Sequence, residues 1–155
     1  MTLEILGWAE PEIEAQLRAA ADRGALRWTG RVANEVALER LRGATAGLSL
    51  LHDLPNYRHS RPTKVVEYMA QGVPVVTTPS PVAVDIVERH RCGFVVPFGD
   101  VQAVADAVAE LAADPDLRAE LGANGHRAAL EHYDWRRSGP RFVAQLEAWA
   151  ATPRS

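Results

Sequence analysis

The sequence predicts an α/β fold in which a parallel sheet carries helices on both faces. Short apolar runs alternate along the chain with segments whose apolar residues recur at helical spacing. At least the third and fourth runs are apolar without alternation, which indicates strands buried on both sides. Glycine or proline marks several of the transitions between the two kinds of segment. Strands that alternate with helices form parallel sheets, because each crossover helix packs back onto the sheet.

The first part of the chain contains three predicted strands, at residues 3–9, 25–32 and 46–51. Pro11 suits the first turn of the helix between the first two strands, and Gly24 ends that helix. Asn34 is expected to be the N-cap of a second helix that runs to about Leu41. A long polar loop, residues 51–64, follows the third strand. Connections in compact domains are usually ~4–6 residues long, so a loop of this length is a candidate for function.

The next elements repeat the pattern. A helix over residues 64–71 is followed by Gly72 and by a fourth strand at residues 73–78. Ser80 and Pro81 are expected to cap and open a helix that reaches residue 90, and residues 93–97 form the fifth strand. Asp100 is expected to cap a further helix. Its predicted buried face consists of Val101, Val104, Ala105, Val108 and Leu111.

No strand is predicted after residue 111. Asp114 and Pro115 open a helical segment that we expect to be interrupted near Gly122 and Gly125. A last helix, which Pro140 either kinks or starts, carries an apolar stripe of Phe142, Val143, Leu146 and Trp149. Residues 151–155 are expected to be a frayed tail, and residues 1–150 a single Rossmann-like domain.

Composition excludes several classes of protein. The chain has 155 residues, of which 47% are hydrophobic and 24% are charged, as in an ordinary globular domain. A net charge of −3 gives no electrostatic reason to expect nucleic-acid binding. Five scattered histidines and one cysteine show no metal-ligand spacing. One cysteine, no signal-peptide pattern and no apolar run near the ~20 residues of a membrane span favour a cytoplasmic location.

Polar residues at the start of the helix before the fourth strand stand out, because core packing does not require them. In open parallel sheets, ligands lie outside the carboxyl ends of the strands. The long loop leads from such an end into a helix that begins with Lys64 and Glu67. The free amide groups of a helix N-terminus favour an anion such as phosphate.

The segment PTKVVEYMAQGVPVV resembles the signature of the C-terminal, donor nucleotide-sugar-binding domain of GT-B glycosyltransferases of the family-4 type. LRWTGRV resembles the strand of that family that ends in Gly-x-Val, and the region from GFVVPFGD to EHYDW resembles its run to a crossing C-terminal helix. The resemblance covers essentially the whole chain. It implies a Rossmann-like half-fold that lacks its first strand.

The resemblance also implies roles for individual residues. Glu67 matches the glutamate that accepts hydrogen bonds from the ribose hydroxyls of the donor. Lys64, together with Thr63 and the backbone after Pro62, matches the diphosphate site. Arg31 and Val32 follow the strand whose loop contacts the base.

Two departures from the family pattern affect what is expected. His59 stands where the family has a first glutamate that contacts the donor sugar, and a histidine can both donate and accept hydrogen bonds. The segment SRPTK resembles a subgroup that also departs here. The family domain opens with one more strand, with basic residues for the diphosphate, and it follows an N-terminal acceptor-binding domain. We therefore expect a truncated form of a longer enzyme, a partial reading frame or a subunit that pairs with another chain.

The predicted function is the donor-binding half of a retaining glycosyltransferase, which moves a sugar from a UDP- or GDP-linked donor without a cofactor. We expect the isolated chain to be inactive, to self-associate through its exposed stripe, and to reach the membrane only peripherally, through the missing domain. The alternative is a non-catalytic nucleotide-binding or regulatory module on the same half-fold. A dinucleotide-dependent oxidoreductase is disfavoured, because no G-x-G-x-x-G follows the first strand.

Overall fold

A computed structural model describes residues 1–60 and 62–151. The chain divides into two compact units, Met1–Arg40 and a second unit that begins at Leu41. Every strand pair in either unit is parallel, as predicted. The pairs form two hydrogen-bonded sheets, one of two strands and one of three. The expected tail begins inside the last helix, which ends at Ala151, and residues 152–155 lie outside the described part.

The first unit contains β1 (Glu4–Leu6), α1 (Pro11–Asp22), β2 (Arg27–Gly30) and α2 (Asn34–Leu41), the last of which reaches its boundary. Pro11 begins α1, as predicted. The prediction that Asn34 caps α2 is wrong, because Asn34 is already helical and the amide of Ala37 donates to the carbonyl of Ala33. No residue from 1 to 40 is fully buried.

The second unit is larger and contains the remaining elements: β3 (Gly47–Ser49), a 3₁₀ turn (Pro55–Tyr57), α3 (Thr63–Ala70), β4 (Val75–Thr77), α4 (Pro81–His90), β5 (Gly93–Val95), α5 (Val101–Ala113), α6 (Pro115–Ala128), a π-helical turn (Ala129–Tyr133) and α7 (Trp135–Ala151). The strand order is β3-β4-β5, so β4 is central. Each strand pairs over only three residues, and the strands are therefore shorter than predicted.

Alternation along β4 divides the core of this unit into two layers. Val75 belongs to a cluster with Val65 and Met69 of α3 and with residues of α4, whereas Val76 belongs to a second cluster with Leu111 of α5. Successive strand residues point to opposite faces of a sheet. Helices therefore cover both faces of the three-stranded sheet, as the sequence predicts.

The predicted buried face of α5 is only partly correct. Asp100 caps the helix as expected, since its carboxylate accepts a hydrogen bond from the Ala103 amide at 2.9 Å. Leu111 is fully buried, but Val101 is 80% exposed and Ala105 is also exposed. Val101 lies in the first turn, before the helix reaches the core. Ala107 occupies the buried position instead.

The predicted interruption of α6 is wrong. The helix runs without a break through Gly122 and Gly125, and both glycines are buried. A Cβ atom on Gly122 would overlap the backbone oxygen of Gly72, and one on Gly125 would lie 3.2 Å from the Cβ of Cys92. The glycines therefore permit close packing, which pattern analysis of a single sequence reads as helix breaking.

The last helix exposes its apolar stripe. α7 begins before Pro140, so this proline lies inside the helix and does not start it. Phe142, Val143, Leu146 and Trp149 are between 45% and 65% exposed, with Trp149 the most exposed. Within the described residues, no helix has the length and apolar character that crossing a membrane requires.

Candidate functional site

Helix α3 is held against the three-stranded sheet by one face. Val65 and Met69 are fully buried, and the Tyr68 hydroxyl donates to the Leu48 carbonyl of β3 at 3.0 Å. Gly47 leaves room for the Tyr68 ring, which a Cβ atom there would overlap. Tyr68 and Met69 are thus packing residues. The opposite face of α3 presents Thr63, Lys64 and Glu67.

The N-terminus of α3 is rich in unpaired donors. Pro62 occupies the N-cap position, is buried, and offers its carbonyl to the Val65 amide at 3.1 Å. Within the described residues, the amides of Thr63 and Lys64 make no hydrogen bond and the Lys64 ammonium has no ion pair. Both side chains are exposed. The helix dipole and an ammonium group at one end create a favourable place for an anion.

Glu67 lies one turn further along the same face. Its side chain is half-buried, yet its carboxylate has no hydrogen bond or ion pair in the part of the chain that the structure describes. Burial raises the pKa of the neighbouring Tyr68 hydroxyl, and the negative charge of Glu67 raises it further. An unpaired carboxylate in a partly desolvated position is costly unless it binds something. Two acceptor oxygens suit a vicinal diol.

The loop before α3 carries His59 on its surface. The loop is fastened locally, because Arg58 pairs with Asp53 at 3.2 Å and the Ser60 hydroxyl donates to the Tyr57 carbonyl. His59 is exposed and has no ion pair or hydrogen bond among the described residues. It is therefore available to a ligand. In the same described residues, no group of His, Cys, Asp or Glu side chains is arranged to hold a metal ion.

Hydroxyl groups at the carboxyl end of β4 organise the start of this loop. The Thr77 hydroxyl donates to the Ser49 carbonyl at 3.0 Å, and the Thr78 hydroxyl donates to the Leu51 carbonyl at 2.7 Å. These bonds tie the carboxyl end of β4 to the last residue of β3 and to the first residue of the loop. Sequence analysis missed both threonines, since their partners are backbone atoms. Ser80 occupies the predicted cap position, but its buried hydroxyl makes no capping bond.

The first unit contains a cavity of about 620 Å³ at the carboxyl ends of β1 and β2. Its lining residues are Leu6, Gly7, Arg31, Val32, Ala33, Asn34 and Ala37. Arg31 and Val32 thus lie together at this cavity, whereas sequence analysis did not identify the contribution of Ala37. Loop residues and the start of α2 form most of the wall, and such surfaces have no simple motif in a sequence.

The residues proposed from sequence thus form one group in each unit. Pro62, Thr63, Lys64 and Glu67 lie on or beside the first turns of α3 in the second unit. Arg31 and Val32 line the cavity of the first unit.

Comparison with known proteins now identifies the family, since the model of the glycosyl transferases group 1 family matches residues 1–114. The chain belongs to this family. A mannosyltransferase of Mycolicibacterium smegmatis, named a GDP-mannose-dependent alpha-(1-6)-phosphatidylinositol monomannoside mannosyltransferase, is 40% identical over 81 residues. Those residues are 52% of this chain and 21% of the relative, so the chain spans only a fifth of that enzyme.

Solved structures show the same fold. Anabaena HepE in complex with UDP aligns with a TM-score of 0.77 at 18% identity and covers 96% of this chain, which spans 41% of HepE. Sucrose-phosphate synthase from Thermosynechococcus elongatus gives a TM-score of 0.76 at 22% identity, over 95% of this chain and 39% of that one. These likenesses confirm the predicted fold, that of the C-terminal-type half of a GT-B glycosyltransferase.

Proposed function

We propose that this chain is the donor-binding portion of a glycosyltransferase that moves a sugar from a nucleotide-sugar to an acceptor, with retention of anomeric configuration. The observation that carries the proposal is Glu67. It is a half-buried carboxylate with no protein partner among the described residues, on the same helical face as an unpaired lysine. Packing does not account for that combination, and a ribose next to a diphosphate does.

The proposed contacts in the second unit follow from charge and hydrogen-bonding capacity. Glu67 accepts hydrogen bonds from the two ribose hydroxyls, a charge-assisted interaction stronger than one between neutral groups. The amides of Thr63 and Lys64, together with the Lys64 ammonium, hold the diphosphate. As the sugar leaves, negative charge grows on that diphosphate, and donors already in place stabilise it without rearrangement.

In the first unit, we propose that the cavity beside Arg31 and Val32 receives the nucleobase. Its volume exceeds that of a base, and its wall combines apolar residues with the polar side chains of Arg31 and Asn34. A guanosine-linked donor is our first choice. The mycobacterial relative named as GDP-mannose-dependent is 40% identical over its aligned residues, whereas the HepE structure with UDP is 18% identical.

Transfer by this chain alone is not expected. It spans about two fifths of HepE and of the cyanobacterial sucrose-phosphate synthase, and we propose that an acceptor-binding domain or partner chain completes the cleft. We propose a cytoplasmic setting, with any approach to a membrane made through that partner. The single cysteine, Cys92, is free and buried, which fits a reducing compartment.

Titration calorimetry with GDP and UDP tests the proposal. Glu67→Ala removes two hydrogen bonds to a charged acceptor, which should cost ~3 kcal/mol, or roughly a hundredfold in affinity. Glu110→Ala is the matched control, because Glu110 is an exposed glutamate on α5 and its loss changes the net charge equally. Equal affinities in wild type and Glu67→Ala for both nucleotides would remove Glu67 from the site.

His59 offers a test that separates transfer from simple nucleotide binding. We propose that His59 contacts the donor sugar, in place of the glutamate that the family usually has there. His59→Ala should then weaken binding of GDP-mannose by about tenfold, the loss of one net hydrogen bond, and leave binding of GDP unchanged. Unchanged binding of both ligands would favour the alternative function, a nucleotide-binding module that does not recognise a sugar.

A further inference from the structure

Trp8 is a feature of the first unit that packing does not explain. Its side chain is 70% exposed, although a tryptophan normally contributes a large area to a core or an interface. It follows Gly7, which lines the 620 Å³ cavity at the carboxyl ends of β1 and β2. Gly7 has a φ of +135°, a region that other residues rarely adopt. The backbone before the indole therefore has a conformation that depends on glycine.

A backbone hydrogen bond joins the residues that precede Trp8 and Arg31. The Gly7 amide donates to the Gly30 carbonyl at 2.8 Å, which joins the loop after β1 to the loop after β2. Trp8 is the next residue on the first loop and Arg31 is the next residue on the second. Arg31 is exposed and makes no ion pair or hydrogen bond among the described residues. Among the described residues, those that line the cavity include no aromatic side chain.

We propose that Trp8 stacks on the nucleobase that this cavity receives and thereby selects a purine over a pyrimidine. The inference rests on the proposed function. An indole ring and a base are both flat, and stacking between them strengthens binding of single bases in many proteins. A guanine covers more of the indole than a uracil does, so the gain in affinity is larger for GDP than for UDP. Arg31 lines the cavity and adds a guanidinium group, which can also pack on an aromatic face.

Calorimetry on Trp8→Ala and Trp8→Phe, with GDP, UDP and inorganic pyrophosphate as ligands, tests this role. Trp8→Ala should lower the affinity for GDP by about ten- to a hundredfold and that for UDP by a smaller factor. It should leave pyrophosphate binding unchanged, because that ligand has no base. Trp8→Phe keeps a ring and should retain most of the affinity. Trp149→Ala, which removes a 65% exposed tryptophan from α7, is the matched control and should change none of the three.

Tryptophan emission gives an independent readout. GDP should quench the emission of wild type and of Trp149→Phe, but it should quench that of Trp8→Phe much less. Equal quenching in all three proteins, or GDP affinity that Trp8→Ala leaves unchanged, would overturn the role of Trp8 while the proposed function stands. An equal loss for pyrophosphate and GDP would overturn it too. If the wild type binds no nucleotide, the proposed function itself fails.

Discussion

Gly122→Ala should change the stability of the protein through two opposing effects in α6, helix propensity and packing. Alanine is the better helix former by about 1 kcal/mol, so propensity alone predicts a more stable protein. The structure predicts the reverse, because the new Cβ would overlap the backbone oxygen of Gly72. That oxygen cannot move away easily, since the Gly72 and Val73 amides bond to the Met69 and Tyr68 carbonyls.

Overpacking of this kind typically costs 1–3 kcal/mol, and here the obstacle is backbone, which places the cost at the upper end. Net destabilisation of roughly 2 kcal/mol is therefore expected, measured as the free energy of unfolding in urea followed by circular dichroism. Gly125→Ala should cost less, because its nearest contacts, at 3.2 and 3.3 Å, are side-chain atoms of Cys92 and Met69. A Gly122→Ala protein as stable as wild type would refute the close approach of α6 to Gly72.

Three further outcomes are expected. Burial raises the pKa of Cys92 to about 11, so iodoacetamide should label it at mildly alkaline pH only on unfolding. Because the folded protein holds this proton more tightly than the unfolded chain does, the free energy of unfolding should fall as pH rises from about 9 towards 11. Cys92→Ala should remove this pH dependence. Labelling of Cys92 in the folded protein would contradict its burial. The exposed stripe of α7 should cause the chain to associate as its concentration rises, and Trp149→Arg should weaken this association. Sedimentation velocity measures it, and a monomer at every concentration would contradict the prediction. The purified chain should transfer no sugar from radiolabelled nucleotide-sugars to lipid or sugar acceptors, and robust turnover would show that no partner is needed.

Sequence patterns predicted the fold where local and global signals agree. The apolar run at β4, with Gly72 before it and Pro81 after it, indicated a buried central strand, and Val75 and Val76 do face opposite layers of the core. The errors occur where tertiary packing overrides propensity. A glycine at position 122 favours a break in the helix, and only the close approach of Gly72 shows why glycine is required there.

For the candidate site too, the sequence indicated some residues and not others. Glu67 and Lys64 were proposed because charged residues at the start of a helix beside a buried strand are conspicuous, and a family signature surrounds them. The cavity wall at Ala37 and the hydroxyl bond of Thr78 were missed, because neither a small apolar residue nor a side-chain-to-backbone bond has a characteristic spacing in the sequence. Trp8 lies at the end of the first predicted strand, and the structure adds that its side chain is exposed.

The central claim is that Glu67 binds the ribose of a nucleotide, and a double-mutant cycle tests it most directly. Affinities of wild type and Glu67→Ala are measured for GDP and for its 2′-deoxy and 3′-deoxy forms. In wild type, each missing hydroxyl should cost about 1.5 kcal/mol, or roughly tenfold. In Glu67→Ala, the deoxy forms should bind as well as GDP does, because the partner of the hydroxyls is gone. The same penalty in both proteins would show that another group recognises the ribose and would contradict the account.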